Sequence, residues 1–75
     1  MDNILAGFTK EITCMGTYWY KHLKNGDCLE IVKKKNYLEV NYIGNRIAKL
    51  TEFSNRVDLI FFKSYIDNLL VAFGV

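Results

Sequence analysis

The sequence predicts an α+β domain: an antiparallel four-stranded β-meander with a C-terminal α-helix packed on one face. Two features of its 75 residues predict this. Between residues 17 and 53, β-prone segments alternate with turn dipeptides, as in hairpins that follow one another along a chain. After Phe53 the apolar residues recur at helical spacing instead. A chain of this length has room for one domain, residues 1–75.

Turn dipeptides place the four strands. Asn25-Gly26 suits a type I′ hairpin turn, in which both central residues take a positive φ, and Gly44-Asn45 has a similar role later in the chain. Lys35-Asn36 is a weaker signal between them. The strands that these turns bound are Thr17–Lys24, Asp27–Lys34, Tyr37–Ile43 and Arg46–Phe53.

Two-residue turns at these positions also fix which residues face each other across the strands. Two of the resulting pairs join opposite charges, and such a pair contributes a few tenths of a kcal/mol. The predicted pairs are Lys24 with Asp27, Lys21 with Glu30, Trp19 with Val32, Ile31 with Val40, Leu29 with Tyr42, and Tyr42 with Ile47.

These pairs agree on one apolar and one polar face, and a slip of one residue would mix the two. The predicted inward face holds Tyr18, Tyr20, His22, Leu29, Ile31, Leu38, Val40, Tyr42 and Ile47. The predicted outer face holds Thr17, Trp19, Lys21, Glu30, Lys34, Tyr37, Glu39, Asn41, Arg46 and Glu52.

The helix is predicted from Val57 to Phe73, where one apolar stripe recurs at helical spacing. Ser54 and Asn55 are candidate N-caps, and Gly74 is placed as the C-terminal stop. An alternative makes residues 56–62 a fifth strand and starts the helix near residue 63. The stripe is Leu59, Phe62, Ile66, Leu69, Leu70 and Phe73.

The first fifteen residues carry the weakest pattern. We expect a short helix over residues 2–7 and then extended chain from Phe8 into the first strand.

No group of residues resembles a catalytic or metal site. His22 is the single histidine, and the predicted register places it on the inner face with Cys28 on the opposite one. A nucleophilic cysteine needs a nearby base, and one histidine with two cysteines matches no zinc-binding spacing. We therefore expect a non-enzymatic protein without metal or cofactor, in which Cys14 and Cys28 are free thiols.

A second apolar stripe on the helix predicts an interaction surface. One sheet face covers one side of a helix, and the remaining apolar residues then need another partner. The alternative is that Ile4, Leu5 and Phe8 fold over them within the chain. The predicted interface residues are Val57, Phe61, Tyr65 and Ala72, and we expect them to contact a protein partner or a second copy in a homodimer.

Nucleic acid is the alternative partner. Exposed aromatic rings and cations on a sheet can stack bases and contact phosphate, although Glu30, Glu39 and Glu52 share that predicted face and oppose it. The residues of this candidate surface are Trp19, Lys21, Lys34, Tyr37 and Arg46.

Location and origin follow from composition alone. No apolar run reaches the roughly 18 residues of a membrane span, and the start of the chain lacks the basic residues of a signal peptide. We expect a cytoplasmic protein that does not enter membranes. The absence of proline and the abundance of Ile, Asn and Lys are typical of AT-rich genomes, such as those of many phages and of some low-GC bacteria. The resulting hypothesis is a phage-encoded inhibitor of a host defence system, acting in the host cytoplasm.

Overall fold

A computed structural model gives residues 1–74 as a five-stranded antiparallel sheet with one C-terminal helix. The strands lie in the sheet in chain order, so the predicted meander is confirmed, but with five strands rather than four. The elements are β1 (Thr9–Thr13), β2 (Gly16–His22), β3 (Cys28–Lys33), β4 (Tyr37–Ile43), β5 (Ile47–Ser54) and α1 (Leu59–Ala72).

The additional strand, β1, lies in the segment predicted only as extended chain. It is an edge strand with mostly exposed residues, so it lacks the alternation of apolar and polar residues from which a strand is predicted. The predicted helix over residues 2–7 is reduced to turns, in which the Leu5 N–H donates to the Met1 carbonyl at 3.1 Å.

The hairpin between β1 and β2 depends on Gly16. Its φ is +142°, and a Cβ atom at this position would lie 2.6 Å from the carbonyl oxygen of Lys33 in β3. Glycine therefore allows the start of β2 to approach the end of β3. The Thr13 hydroxyl supports the same turn, because it accepts from the Met15 N–H and donates to the Gly16 carbonyl, both at 3.1 Å.

The loop between β2 and β3 is one residue longer than predicted. Leu23 closes it, donating its N–H to Asp27 at 2.7 Å and accepting from Gly26 at 3.0 Å. Gly26 has a φ of +91°, whereas Asn25 does not have a positive φ. These features match a three-residue hairpin loop with glycine in the left-handed position, not a two-residue type I′ turn.

This longer loop makes the predicted register of β2 against β3 wrong by one residue. Lys21 lies opposite Leu29, and Glu30 lies opposite Tyr20. Trp19 pairs with Ile31 and is 3% exposed, so it belongs to the inner face. The predicted pairs that do not form are Lys21 with Glu30, Lys24 with Asp27, and Trp19 with Val32. Tyr18, Tyr20 and His22 consequently lie on the outer face instead of the inner one.

The register of β3 against β4 is confirmed. Ile31 pairs with Val40, and Leu29 pairs with Tyr42. The turn lies at Lys35-Asn36 as predicted.

The β4–β5 loop again contains one residue more than predicted. Tyr42 therefore pairs with Ala48, and the predicted pair of Tyr42 with Ile47 is wrong. Ile47 is exposed rather than inward-facing. A register shift at Val40/Asn41 leaves Leu50 without an opposite residue on β4.

Asp58, not Ser54 or Asn55, caps the helix. Its carboxylate accepts from the N–H groups of Ile60 and Phe61 at 2.8 and 3.3 Å, and the helix begins at Leu59 rather than Val57. The alternative strand over residues 56–62 does not form. Gly74, with a φ of +76°, follows the C-cap residue Phe73, which confirms the predicted stop.

The hydrophobic core lies on the inner face of the sheet. Both the helix and the N-terminal segment contribute to it: Phe62 and Ile66 from the helix, and Leu5 from the segment. Strand residues complete it, and the buried members of the core are Leu5, Trp19, Leu23, Leu29, Ile31, Leu38, Val40, Phe62 and Ile66.

Gly16→Ala should destabilise the protein more than Gly26→Ala. Both glycines have a positive φ, a sparsely populated backbone region that costs an ordinary residue about 1–3 kcal/mol. Only the Gly16 position adds a collision with backbone, since a Cβ at Gly26 would meet no atom within 4 Å. Chemical denaturation of the two variants measures the difference. Equal losses of unfolding free energy would contradict the close approach of β2 to β3.

Candidate protein-binding surface

Aromatic contacts join the helix to the edge of the sheet. Phe61 and Tyr65 are one turn apart on the helix, and both meet Phe53 of β5 edge to face, with ring centroids 6.2 and 5.2 Å apart. Burial raises the pKa of the Tyr65 hydroxyl, and a hydrogen bond with Thr51 opposes this shift. The flank of the helix that faces β5 is therefore aromatic.

Part of this aromatic flank remains open to solvent. Phe61 on this flank is 59% exposed. Ile60, the residue before it, is 82% exposed and lies about 100° away around the helix axis, toward the outward side. We call Phe53, Ile60, Phe61 and Tyr65 the helix patch. Adjacent exposed apolar side chains of this size are typical of an interaction site.

The open edge of β5 borders the helix patch. Within residues 1–74, β5 pairs only with β4, so its other edge has backbone groups without a strand partner. Two features weaken this edge as a template for another strand: the unpaired Leu50, and Lys49, which forms ion pairs with Glu39 and Glu52. At this side of the molecule, the side chains of the helix patch are therefore better suited to bind another surface than the backbone of β5 is.

The N-terminal segment does not cover the helix patch. Leu5 is buried in the core, and Asp2 accepts a hydrogen bond from the Trp19 indole at 3.2 Å and from Lys10 at 3.0 Å. Phe8 lies beneath the Lys21 ammonium group, which is 5.9 Å from its ring. These contacts tie the segment to β1 and β2, at the other end of the sheet from β5.

The four predicted interface residues differ in their positions. Phe61 and Tyr65 lie together in the helix patch, and Tyr65 is half-buried. Ala72 is exposed near the C-terminal end of the helix, while Val57 precedes the helix and packs against the core. The outward side of the helix also exposes Val71, an apolar residue outside the main stripe that was not among the predicted interface residues.

The residues of the predicted nucleic-acid surface do not lie together. Trp19 is buried on the inner face, and Lys21 shares that face with it. Lys34 and Tyr37 flank the β3–β4 turn, and Arg46 lies in the β4–β5 loop. The one-residue error in the β2 register accounts for the separation of Trp19 and Lys21 from the other three.

The outer face of the sheet is acidic and aromatic. The registers align Glu11, Tyr18, Val32, Glu39 and Glu52 in one row across the five strands. The next row contains Glu30, whose carboxylate accepts from the buried Asn41 amide at 3.1 Å. An open groove of about 450 Å³ lies on this face. Its lining residues are Glu11, Thr13, Met15, Tyr18, Tyr20 and Glu30.

One contact of reactive side chains was missed from the sequence. His22 and Cys28 are opposite each other across β2 and β3, and the Cys28 Sγ atom lies 3.2 Å from the His22 Nδ1 atom. The sequence signal was the Lys24-Asn25-Gly26 segment, because a three-residue loop there brings the two side chains to the same face.

Residues 1–74 contain no cluster of three or more histidine, cysteine or acidic side chains arranged to hold a metal ion. In the same part of the chain, no helix is long and apolar enough to cross a membrane.

Comparison with known proteins gives no match to a family model, to a curated protein or to a solved structure.

Asp2→Asn should loosen the N-terminal segment in a pH-dependent manner. The hydrogen bond from Lys10 is the main cause that lowers the pKa of Asp2 below its ordinary value of 3.8, and the Trp19 indole acts in the same direction. A folded-state pKa below the unfolded one stabilises the protein above pH 3.8, and this gain is lost as the pH falls through the lowered value.

Thermal melting of the native protein and of Asp2→Asn over this pH range measures the effect. We expect the variant to melt at a lower temperature near neutral pH and the two curves to converge in strong acid. Asn3→Ala is the control, since Asn3 is exposed beside Asp2. Parallel curves at all pH values would contradict the role of the Asp2 carboxylate.

Proposed function

We propose that this chain is a small non-enzymatic protein that acts by binding another protein through the helix patch. The observation that carries the proposal is the exposure of Ile60 and Phe61 on a helix that packs Phe62 and Ile66 into the core on its other side. A domain of this size has little apolar surface to spare, because it buries only about 60% of the surface of its unfolded chain. Leaving two large side chains in water is therefore consistent with a partner that covers them.

We propose that the helix patch binds a second copy of the chain. A two-fold contact uses the same patch from both molecules, so each Phe61 would lie near the corresponding helix of its partner. Aromatic side chains such as Phe61 and Tyr65 bury about 150–250 Å² each. The edge of β5 is a poor template for another strand, because of the register shift at Leu50 and the charged Lys49. This favours a helix-to-helix contact over pairing of the two sheets edge to edge.

Ile60→Lys should weaken self-association at least tenfold, because it replaces an exposed apolar side chain of the helix patch with a charge that the contact would have to bury. Sedimentation at micromolar concentration measures the change. Ile12→Lys is the matched control: Ile12 is 74% exposed, but it lies on β1 at the opposite end of the sheet. We expect the native protein and Ile12→Lys to sediment as dimers and Ile60→Lys as a monomer.

A monomeric native protein would contradict the homodimer and leave a different protein as the occupant. The same two variants then serve in a pull-down from a bacterial lysate. A partner retained by the native protein and by Ile12→Lys, but lost with Ile60→Lys, would support binding through the helix patch. Retention by all three would contradict it.

We further propose that the chain inhibits the protein that it binds. The lack of proline and the Ile-, Asn- and Lys-rich composition support a phage-encoded inhibitor of a host defence system, working in the host cytoplasm. Such a protein needs no catalytic group, since occupying its target is sufficient.

Nucleic-acid binding has less support than protein binding. Glu11, Glu30, Glu39 and Glu52 lie on the outer face, where Lys49 pairs with the last two, and the remaining negative charge repels phosphate. We expect no retention of a single-stranded oligonucleotide in a filter assay at about 0.15 M salt, and little gain on lowering the salt. Tight binding with a steep salt dependence would support the alternative function instead.

A further inference from the structure

Cys28 and His22 form a thiol–imidazole pair on the outer face of the sheet. The Cys28 Sγ atom is 3.2 Å from His22 Nδ1, and the two residues are cross-strand neighbours in the ladder of β2 and β3. The ring of Tyr20 meets the imidazole edge to face, with centroids 6.3 Å apart. His22 is exposed and Cys28 half-buried, so the sulfur is held in place and remains within reach of small molecules.

The second cysteine, Cys14, is an internal control for the reactivity of Cys28. Cys14 is exposed in the turn between β1 and β2. His22 is the single histidine of the sequence, and it contacts Cys28. Cys14 therefore has greater access to solvent but no imidazole partner.

We propose that Cys28 is a site of thiol–disulfide exchange with low-molecular-weight disulfides, and that His22 is the base that activates it. The thiolate is the reacting form of a cysteine, and a base within hydrogen-bonding distance supplies it at the moment of attack. The site follows from the proximity of the two side chains. It is independent of the helix patch, since it uses other residues on the other face of the sheet.

The exchange needs no oxidant or reductant other than the disulfide itself. The Cys28 thiol passes its proton to His22 Nδ1, and the thiolate attacks one sulfur of the disulfide. The bond between the two sulfurs of the reagent breaks as the Cys28–sulfur bond forms. The leaving thiolate then takes the proton from the imidazolium. Cys28 is oxidised to a mixed disulfide, and half of the reagent is reduced to a free thiol.

The neighbours of the pair determine the choice of probe. Cys28 lies opposite Ile43 on β4, and Glu30 follows two residues along the same strand on the same face. The Glu30 carboxylate would repel an anionic disulfide and slow it for reasons unrelated to His22. The neutral disulfide of mercaptoethanol avoids this bias.

The experiment measures the rate of mixed-disulfide formation at each cysteine by mass spectrometry of peptides, at neutral pH, with the native protein and His22→Gln. In the native protein we expect Cys28 to react at least about tenfold faster than Cys14 despite its lower exposure. His22→Gln should remove that advantage and leave the rate of Cys14 unchanged. Circular dichroism and melting temperature verify that the variant is folded.

Two results would overturn the proposal. One is a native protein in which Cys28 reacts no faster than Cys14. The other is a folded His22→Gln protein in which the rate ratio of the two cysteines is unchanged. If His22→Gln fails to fold, His22→Asn takes its place, and Cys14→Ser assigns the fast phase to Cys28 in the native protein.

Discussion

The burial of Trp19 determines how β2 sits in the sheet. Its ring lies in the core beside Ile31, and its indole N–H is satisfied by Asp2 from the N-terminal segment. Turning β2 over would expose this large apolar side chain, and burying one of that size contributes on the order of 2–3 kcal/mol. The three-residue loop that ends at Gly26 supplies the one extra residue that lets Trp19 face inward.

The N-terminal segment and the helix share the inner face of the sheet. The N-terminal segment reaches Trp19, while the helix contributes Phe62 and Ile66 to the same core. Since the segment is held at the β1–β2 end by Asp2 and Phe8, it leaves the flank of the helix beside β5 uncovered. The helix patch is thus a consequence of where the segment is anchored, not of a surplus of apolar residues alone.

The same register decides the chemistry of the outer face. Because Trp19 and Lys21 face inward, the carboxylates of Glu11, Glu30 and Glu39 predominate on the outer face. The observed surface is therefore acidic and aromatic, whereas the predicted one was basic and aromatic. The shift also places His22 and Cys28 on this face as opposite residues. One loop residue therefore removes the proposed nucleic-acid surface and creates the thiol–imidazole pair.

The sequence by itself determined the class of fold, the approximate places of three of the four turns, the β3–β4 register and the end of the helix at Gly74. Each of these depends on local chemistry: β-prone residues, turn residues, or a glycine with a positive φ. Tertiary structure decided the face of β2, because its sequence has aromatic residues on both sides, Trp19 on one and Tyr18 and Tyr20 on the other. Loops of two and of three residues both suit a glycine at position 26, so local pattern could not choose between them. Trp19 is buried together with Leu5, Phe62 and Ile66, which lie far from it in the sequence. Only the folded chain brings these side chains together, so they favour the arrangement of β2 that buries Trp19.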